Sequence, residues 1–576
     1  MQNTNVQAGM SSSAGVKEIN EDYAGFLIPI DSYLAQVKGM AFCVADGVSS
    51  AEAGKEASET AVERFLTEYF KTPDTWSVSR SGEQVLSALN LRLYRKSHAF
   101  KQDNKGYLTT LSCMVVKGVH GHLFHVGDSR VYRYRAGCFE QLSTDHITVL
   151  GQGKSFLSRA LGMDNNIHID YSSFELNEGD IYLLSTDGLH DFVATTEIID
   201  TLTQDAFPDV IAQQLCQLAK NNGSDDNISC VVVAVQQLPH QDESEFNEEL
   251  TRLPFPPPLI PGMKLDGYKV LEELFNSPRS QLYLVEDEQS GQLLAMKTPS
   301  INYDDDTHYI DRFLKEQWIG SRIDSPYVVK IIQHSRPRTA LYYLMERLDG
   351  VSLDVWMERN RPLKPKQAIN IVKKIAAGLK AFHANDAIHQ DLKPGNVMIL
   401  NDGSVKLVDF GSVFVAGVAE LYRPIEHLGA LGTASYSDPN YLVGKNSAVQ
   451  GDVYSLATIC YELFTGQLPY GEKVEECTTM FDYDRLRYRS AAKYNALIPI
   501  WFDKALQKGV NFNLTQRYET VDALLADLTK PNPDFLKPEP EPQEASSLVF
   551  WKILSGFWFV TLLLMLYLFS QSQGGG

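Results

Sequence analysis

Two stretches rich in proline and acidic residues divide this chain and limit what it can build. Gln241–Pro261 is acidic and then proline-rich, through DESEFNEEL and LPFPPPLIPG, and Lys530–Ser547 repeats the pattern as KPNPDFLKPEPEPQEASS. Such segments favour exposed, extended backbone over burial. The 576 residues must therefore fold as separate units, and length alone favours about three to four of ~100–200 residues. The boundaries expected are a unit over 1–239, a linker over 240–262, a unit over 263–530, a second linker over 531–547, an apolar segment over 548–569 and a tail over 570–576. No internal repeat is evident.

The second unit contains HQDLKPGN, His389 to Asn396, and then Asp409-Phe410-Gly411 after a short hairpin. An aspartate able to take a hydroxyl proton, a lysine two residues on, and an asparagine facing a later aspartate across a magnesium site are the parts that phosphoryl transfer needs. Upstream, Gln281–Glu286 and Gln292–Lys297 read as a hairpin around Gln289-Ser290-Gly291, ending in Ala295-Met296-Lys297. Glu316, in the helical run RFLKEQWIG, is the expected ion-pair partner of Lys297.

The first unit alternates strand-like and helix-like pieces. Met40–Ala45 and Ile181–Ser185 are short apolar runs closing on an aspartate turn, and Glu52–Tyr69 and Gln84–Arg95 carry apolar residues at helical spacing. Acidic groups recur at strand ends: Glu21-Asp22, Asp46-Gly47, Asp128, Asp187-Gly188, Asp191 and Asp226-Asn227. Hard divalent cations prefer such oxygen donors, so converging carboxylates could hold two Mg2+ or Mn2+ ions and activate a water for attack on phosphorus. Any one Asp-Gly pair is explained as well by a plain turn, as at Asp266, Asp349 and Asp402; the ordered set is what points to metal.

The net charge is −20, with 72 acidic against 52 basic residues, which argues against a nucleic-acid-binding surface. Seven cysteines without a CxxC pair suit a reducing compartment better than a disulfide framework. No basic region followed by an apolar run opens the chain, so no secretory signal peptide is expected. Leu548–Phe569, LVFWKILSGFWFVTLLLMLYLF, has one charge, Lys552, near its start. It reads as a transmembrane helix of about 20 residues. The seven residues after it, SQSQGGG, suggest a single-pass tail anchor in the cell inner membrane with both larger units in the cytoplasm.

HQDLKPGN, DFG and GTASYSDPN (Gly432 to Asn440) resemble the catalytic loop, magnesium loop and activation-segment end of eukaryotic-type Ser/Thr protein kinases. The resemblance implies a bilobal kinase fold with Asp391 as base, Lys393 facing the γ-phosphate and Lys297 with Glu316 anchoring ATP. It makes Asn396 and Asp409 the Mg2+ ligands, Met345 the gatekeeper, Glu346 to Leu348 the adenine edge and Asp452 a brace of the catalytic loop. Phe275, Ser277 and Ser280 replace the glycines over the phosphates, where Arg279 and the serine hydroxyls could compensate in part. Gln390 replaces the arginine that pairs with activation-loop phosphate, so activity is expected not to depend on phosphorylation of Thr433 or Ser435. Asn440 replaces a glutamate that pairs with a later arginine, here Arg517, so a neutral hydrogen bond and a softer lobe are expected.

KEINED, ADGVSS, VGDSR, STDGLHD and SDDNIS resemble, in order, the motifs of type 2C metal-dependent protein phosphatases. The implied fold is an α/β/β/α sandwich, giving an α+β multidomain chain. The implied metal ligands are Asp46, the Gly47 carbonyl, Asp187 and Asp226, with Asp22 beside Glu21 acting through a bound water and Asp128 and Asp191 at a third ion. Lys17 stands where many members have a phosphate-binding arginine and lacks its bidentate fork. Val48 stands where some have a histidine acid, and Ser49-Ser50 replace a glycine pair, so leaving-group protonation falls to water or another group. The whole resembles bacterial kinase/phosphatase fusions. It implies ATP and Mg2+ for one unit, two or three Mg2+ or Mn2+ ions for the other, and protein substrates with Ser/Thr or their phosphates, this chain among them. The alternative is an active phosphatase regulated by an ATP-binding pseudokinase.

Overall fold

The structure is a computed structural model that describes residues 4–48, 53–98, 106–150, 154–238, 253–303, 306–334, 336–361, 363–409, 414–415, 435–442, 447–477, 479–536 and 545–573. The N-terminal unit stacks two antiparallel five-stranded sheets. One runs in the order Asn5–Ser13, Ile228–Gln237, Ile181–Ser185, Arg130–Arg135, Cys138–Gln141, and the other Asp170–Glu175, His120–Val126, Leu111–Lys117, Met40–Asp46, Asp22–Leu27. Phe42, Val44, Met114, Leu184, Val231 and Val233 fill the space between them. Met40–Asp46 is buried along its length up to Asp46, because sheet lies on one side and helix on the other, which is why it reads as a continuous apolar run.

Gly54–Tyr69 covers one outer face, burying Ala57, Ala61, Val62 and Phe65 at helical spacing. Pro208–Asn221 covers the other with Ile211, Ala212, Leu215 and Ala219. The expected α/β/β/α layering is therefore present. The second outer helix, Val78–His98, is longer than the Gln84–Arg95 stretch with helical spacing.

The second unit is bilobal. Its small lobe is a six-stranded sheet in the order Lys264–Leu265, Tyr268–Asn276, Ser280–Asp287, Leu293–Pro299, Tyr343–Glu346, Ile331–Ile332, packed by the helix Thr307–Arg322. The large lobe is built on Pro365–His383 and the buried helix Val449–Thr465. The linker does not stay extended and exposed throughout. Leu259 is buried, its N–H 3.3 Å from the Tyr283 hydroxyl, and the Pro254 carbonyl accepts from Leu341 N–H at 2.9 Å. The apolar residues between its prolines find the small-lobe sheet; its acidic half lies outside the described residues.

A helix over Ala545–Gln573 follows the second break. Among the described residues no helix is long and apolar enough to cross a membrane, so the span expected over Leu548–Phe569 is not shown.

Candidate active sites

In the second unit, Lys297 leaves the strand Leu293–Pro299 into a cleft where its Nζ is 2.6 Å from Glu316 and 3.5 Å from Asp409. Burial alone would lower the Lys297 pKa, but the charges of Glu316 and Asp409 and the Tyr343 phenol hold it well above its ordinary value. It is a fixed cation. Across the cleft, Lys393 Nζ donates to Asp391 Oδ2 at 2.9 Å, and the Asn396 amide donates to the Asp391 carbonyl at 2.8 Å. Asp409 sits at φ +68° with its carboxylate half exposed to the cleft. Asp452, buried on its helix, accepts from the backbone of His389 and Gln390 at 3.0 Å each and from His383 at 2.7 Å. That set of bonds fixes the loop carrying Asp391, including Gln390 at φ +61°.

The strand Tyr343–Glu346 ends where the adenine edge is expected. The Glu346 side chain is taken by Lys406 and by the Lys330 N–H, while Leu348 packs half-buried on the core, so contact with a base would fall to the backbone. The glycine-poor hairpin closes on itself: the Ser277 hydroxyl donates to Ser280 O at 2.9 Å and accepts from Ser280 N–H at 3.0 Å. That hydroxyl holds the turn of the hairpin. Arg279 O is bonded by Ser300 N–H and the Tyr309 hydroxyl, tying the hairpin to the Glu316 helix.

The large lobe supplies a second correction. Arg517 forms a forked ion pair with Asp438, at 2.5 and 3.1 Å, both fully buried, and Asn440 Nδ2 bonds Asp438 at 2.9 Å. The ion pair expected to be lost at Asn440 is kept by an aspartate two residues earlier in SDPN. No softening follows. Phe410, Gly411, Gly432 and Thr433 lie outside the described residues; Ser435 donates to Glu475 at 2.9 Å.

In the N-terminal unit, strand register sets Asp22 directly opposite Asp46. The Thr186 hydroxyl, next to Asp187, donates to Asp22 Oδ2 at 2.8 Å. Asn227, next to Asp226, accepts from Glu21 N–H at 2.9 Å and donates to the Ala14 and Ile19 carbonyls, which draws the Lys17 loop over the cluster. Gly47 N–H donates to the Glu21 carbonyl at 3.1 Å. Gly188 backs directly onto the Asn227 carbonyl, where a Cβ would collide. Thr186 and Asp438 are neighbours that the sequence reading did not single out, and for Asn227, named there beside Asp226, it assigned none of these bonds. Each stands within two residues of one it named.

Burial, and then the charges of Asp187 and Asp226, push Asp22 up to about 7. Burial and the charge of Asp22 push Asp46 well above the carboxylate range, and burial with Asp187 lifts Asp128 to about 6. Asp187 is raised as well, by burial and Asp226. Asp191 is exposed at the rim, 3.9 Å from Arg130. Lys17 is ion-paired with Asp226. Among the described residues, the buried oxygens Asp22 Oδ1 and Asp187 Oδ1 have no hydrogen-bond partner. Hard oxygen donors, mutually repelling and with orphaned atoms, fit divalent cations in chemistry. Among the described residues, however, no three such side chains stand close enough to hold an ion as they are. Val48 N–H is spent on Leu108 O, and Ser49 and Ser50 lie outside the described residues.

A protein kinase domain model matches residues 268–533 and a protein phosphatase 2C model matches 19–232. The chain joins these two domains. The kinase domain is 28% identical over 273 residues to serine/threonine-protein kinase PrkC of Bacillus subtilis, covering 47% of this chain and 41% of that one. It is 29% identical over 258 residues to PknD of Mycobacterium tuberculosis, covering 45% and 38%. The match thus spans less than half the length of these curated relatives. The phosphatase domain aligns with the M. tuberculosis phosphatase PstP/Ppp (25% identity, TM-score 0.35, 40% of this chain and 99% of that one) and with Stp1 of Staphylococcus aureus (23%, 0.37, 41% and 97%).

Proposed function

We propose that this chain is a bifunctional enzyme, a protein Ser/Thr kinase fused to a metal-dependent phosphoserine/phosphothreonine phosphatase. The observation that carries the kinase half is Lys297 within reach of both Glu316 and Asp409, in one cleft with the hydrogen-bonded Asp391, Lys393 and Asn396. Asp391 is placed to accept the proton of a substrate hydroxyl, Lys393 to steady the transferred phosphoryl, and Lys297 to orient ATP. Asn396 and Asp409 would hold Mg2+, which when bound supplies charge neutralisation between the phosphates. These intact pairs favour an active kinase over a nucleotide-sensing pseudokinase despite the missing glycines.

In the phosphatase half, Asp46, the Gly47 carbonyl, Asp187 and Asp226 would hold two divalent cations, with Asp22 beside them and Asp128 and Asp191 at a looser third position. Ions bound there would supply Lewis acidity toward a phosphate ester and its attacking water. Lys17 would release Asp226 and turn to substrate phosphate. The two domains share one chain at high effective concentration, so the phosphatase is suited to remove phosphate that the kinase places on the same chain or a shared partner.

The apolar stretch Leu548–Phe569, with exposed Trp551, Ile553, Phe557 and Leu564 on one helix, supports a single-pass anchor in lipid of the inner membrane, catalytic domains in the cytoplasm. Transfer of labelled phosphate from ATP to a generic protein, lost in Asp391→Asn, tests the kinase. Manganese-dependent release of phosphate from p-nitrophenyl phosphate, lost in Asp46→Asn, tests the phosphatase. Retention of either activity in its variant defeats that half.

A further inference from the structure

The helix Thr307–Arg322 turns ~100° per residue, which puts Phe313, Glu316 and Gly320 on one side and Asp311, Trp318 and Arg322 on the opposite side. The first side meets its own domain. Glu316 pairs with Lys297, and Phe313 packs on Tyr343 with ring centroids 5.1 Å apart. The second side meets the phosphatase domain. Trp318, fully buried, lies against Trp76 with centroids 5.3 Å apart, and Arg80, stacked over Trp76, pairs with Asp311.

Further along, Arg322 pairs with Glu68 at 2.8 Å and the Ser321 hydroxyl donates to the Lys71 carbonyl at 3.1 Å. Glu68, Lys71, Trp76 and Arg80 lie at the end of one phosphatase helix, in the turn after it and at the start of the next. The same turn presents Asp74 to Arg338, which also bonds the Tyr342 carbonyl beside Tyr343. A surface kinase helix ordinarily keeps one polar face in water. This one is held from both sides, and the side away from ATP carries a tryptophan that a lone kinase domain would leave exposed.

We infer that the phosphatase domain is a cis-acting brace for the kinase: Trp76, Arg80 and Glu68 are positioning residues that hold the Glu316 helix where Glu316 meets Lys297. This rests on the kinase reading above. It gives the fusion a purpose beyond proximity, since phosphoryl transfer then depends on the phosphatase fold but not on phosphatase chemistry. The helix is the two-state element such coupling requires, because moving it away from the sheet separates Glu316 from Lys297 without unfolding either domain.

The test uses the full chain. Arg80→Asp and Asp311→Arg each set like charges face to face at the contact, and the double variant restores opposite charges. Each single variant is expected to lower kcat for transfer from ATP to a generic protein by about tenfold, with phosphatase turnover of p-nitrophenyl phosphate at the wild-type level. The double variant is expected to recover kcat. Trp76→Leu, which removes the ring on Trp318 and adds no charge, is expected to lower kcat in the same way. Wild-type kcat in both single variants and in Trp76→Leu would overturn the brace, as would a double variant no better than the singles. A variant that also loses phosphatase turnover is replaced by Glu68→Gln, read in the same two assays. A wild-type chain that transfers no phosphate would instead defeat the kinase reading itself.

Discussion

The two candidate sites handle charge in opposite ways. In the kinase cleft the chain neutralises itself: Lys297 is paired with Glu316, and Lys393 with Asp391. In the phosphatase cluster burial, and after it neighbouring carboxylates, raise the pKa values of Asp22, Asp46, Asp128 and Asp187, and Lys17, paired with Asp226, is the cation drawn in at the edge. The first site can be built by folding alone. The second gathers like charges that protons or added cations can reconcile, while its scaffold, the Asp22–Asp46 register and the Asn227 bonds, is already fixed.

This difference predicts that the two halves fail independently. On the proposed reading, Asp46→Asn would remove a ligand from a site whose ions would be worth several kcal/mol in the transition state, so phosphatase turnover should drop about 10³-fold while ATP-dependent transfer persists and phosphorylated chain accumulates. Asp391→Asn would remove the proposed general base, expected to cost ~10²–10⁴-fold in transfer, with p-nitrophenyl phosphate release unchanged. A chain in which either substitution silences both activities would break the comparison at once. Glu316→Gln probes the self-neutralised site more gently. It leaves Lys297 buried with the more distant Asp409, at 3.5 Å, to balance its charge, at a cost of up to about 3–5 kcal/mol, seen as a fall of about 10 °C in the kinase unfolding transition and reduced transfer.

Much of both sites could be read from residues in short strings. Asp391, Lys393, Asn396 and Asp409 come together because one loop and one hairpin carry them, and Asp46 and Asp187 because buried apolar strands end there. What sequence could not give were partners set by long-range packing. Asp438 and Arg517 are 79 residues apart, and pattern reasoning assigned the pair to Asn440 because it counted positions rather than asking which nearby acid could reach. Likewise, proline content marked 253–262 as linker, although Leu259 in it has a place under the small-lobe sheet. The contact of Trp76 with Trp318 left no local trace, since each alone reads as the core of its own domain.

The smallest expected effect bears most directly on the contrast. Asp22 has a folded pKa of about 7 against an ordinary 3.8, so without metal its protonated form is the one the fold favours. Its contribution is present in full below about pH 4 and is lost as pH rises toward 7, because the unfolded chain then holds fewer protons than the folded one. Mn2+ at about a hundred times its Kd should stabilise the phosphatase domain by about 2.7 kcal/mol, roughly 5–10 °C in its calorimetric transition. Most of that gain should appear at pH 7.5, and less at pH 5, where protons already quiet the cluster and compete with the ion. Asp22→Asn should raise the metal-free Tm at pH 7.5 and reduce the response to manganese. If the manganese gain is the same at both pH values and Asp22→Asn leaves the metal-free Tm unchanged, then the carboxylates are not in conflict, and the phosphatase site is as self-sufficient as the kinase cleft.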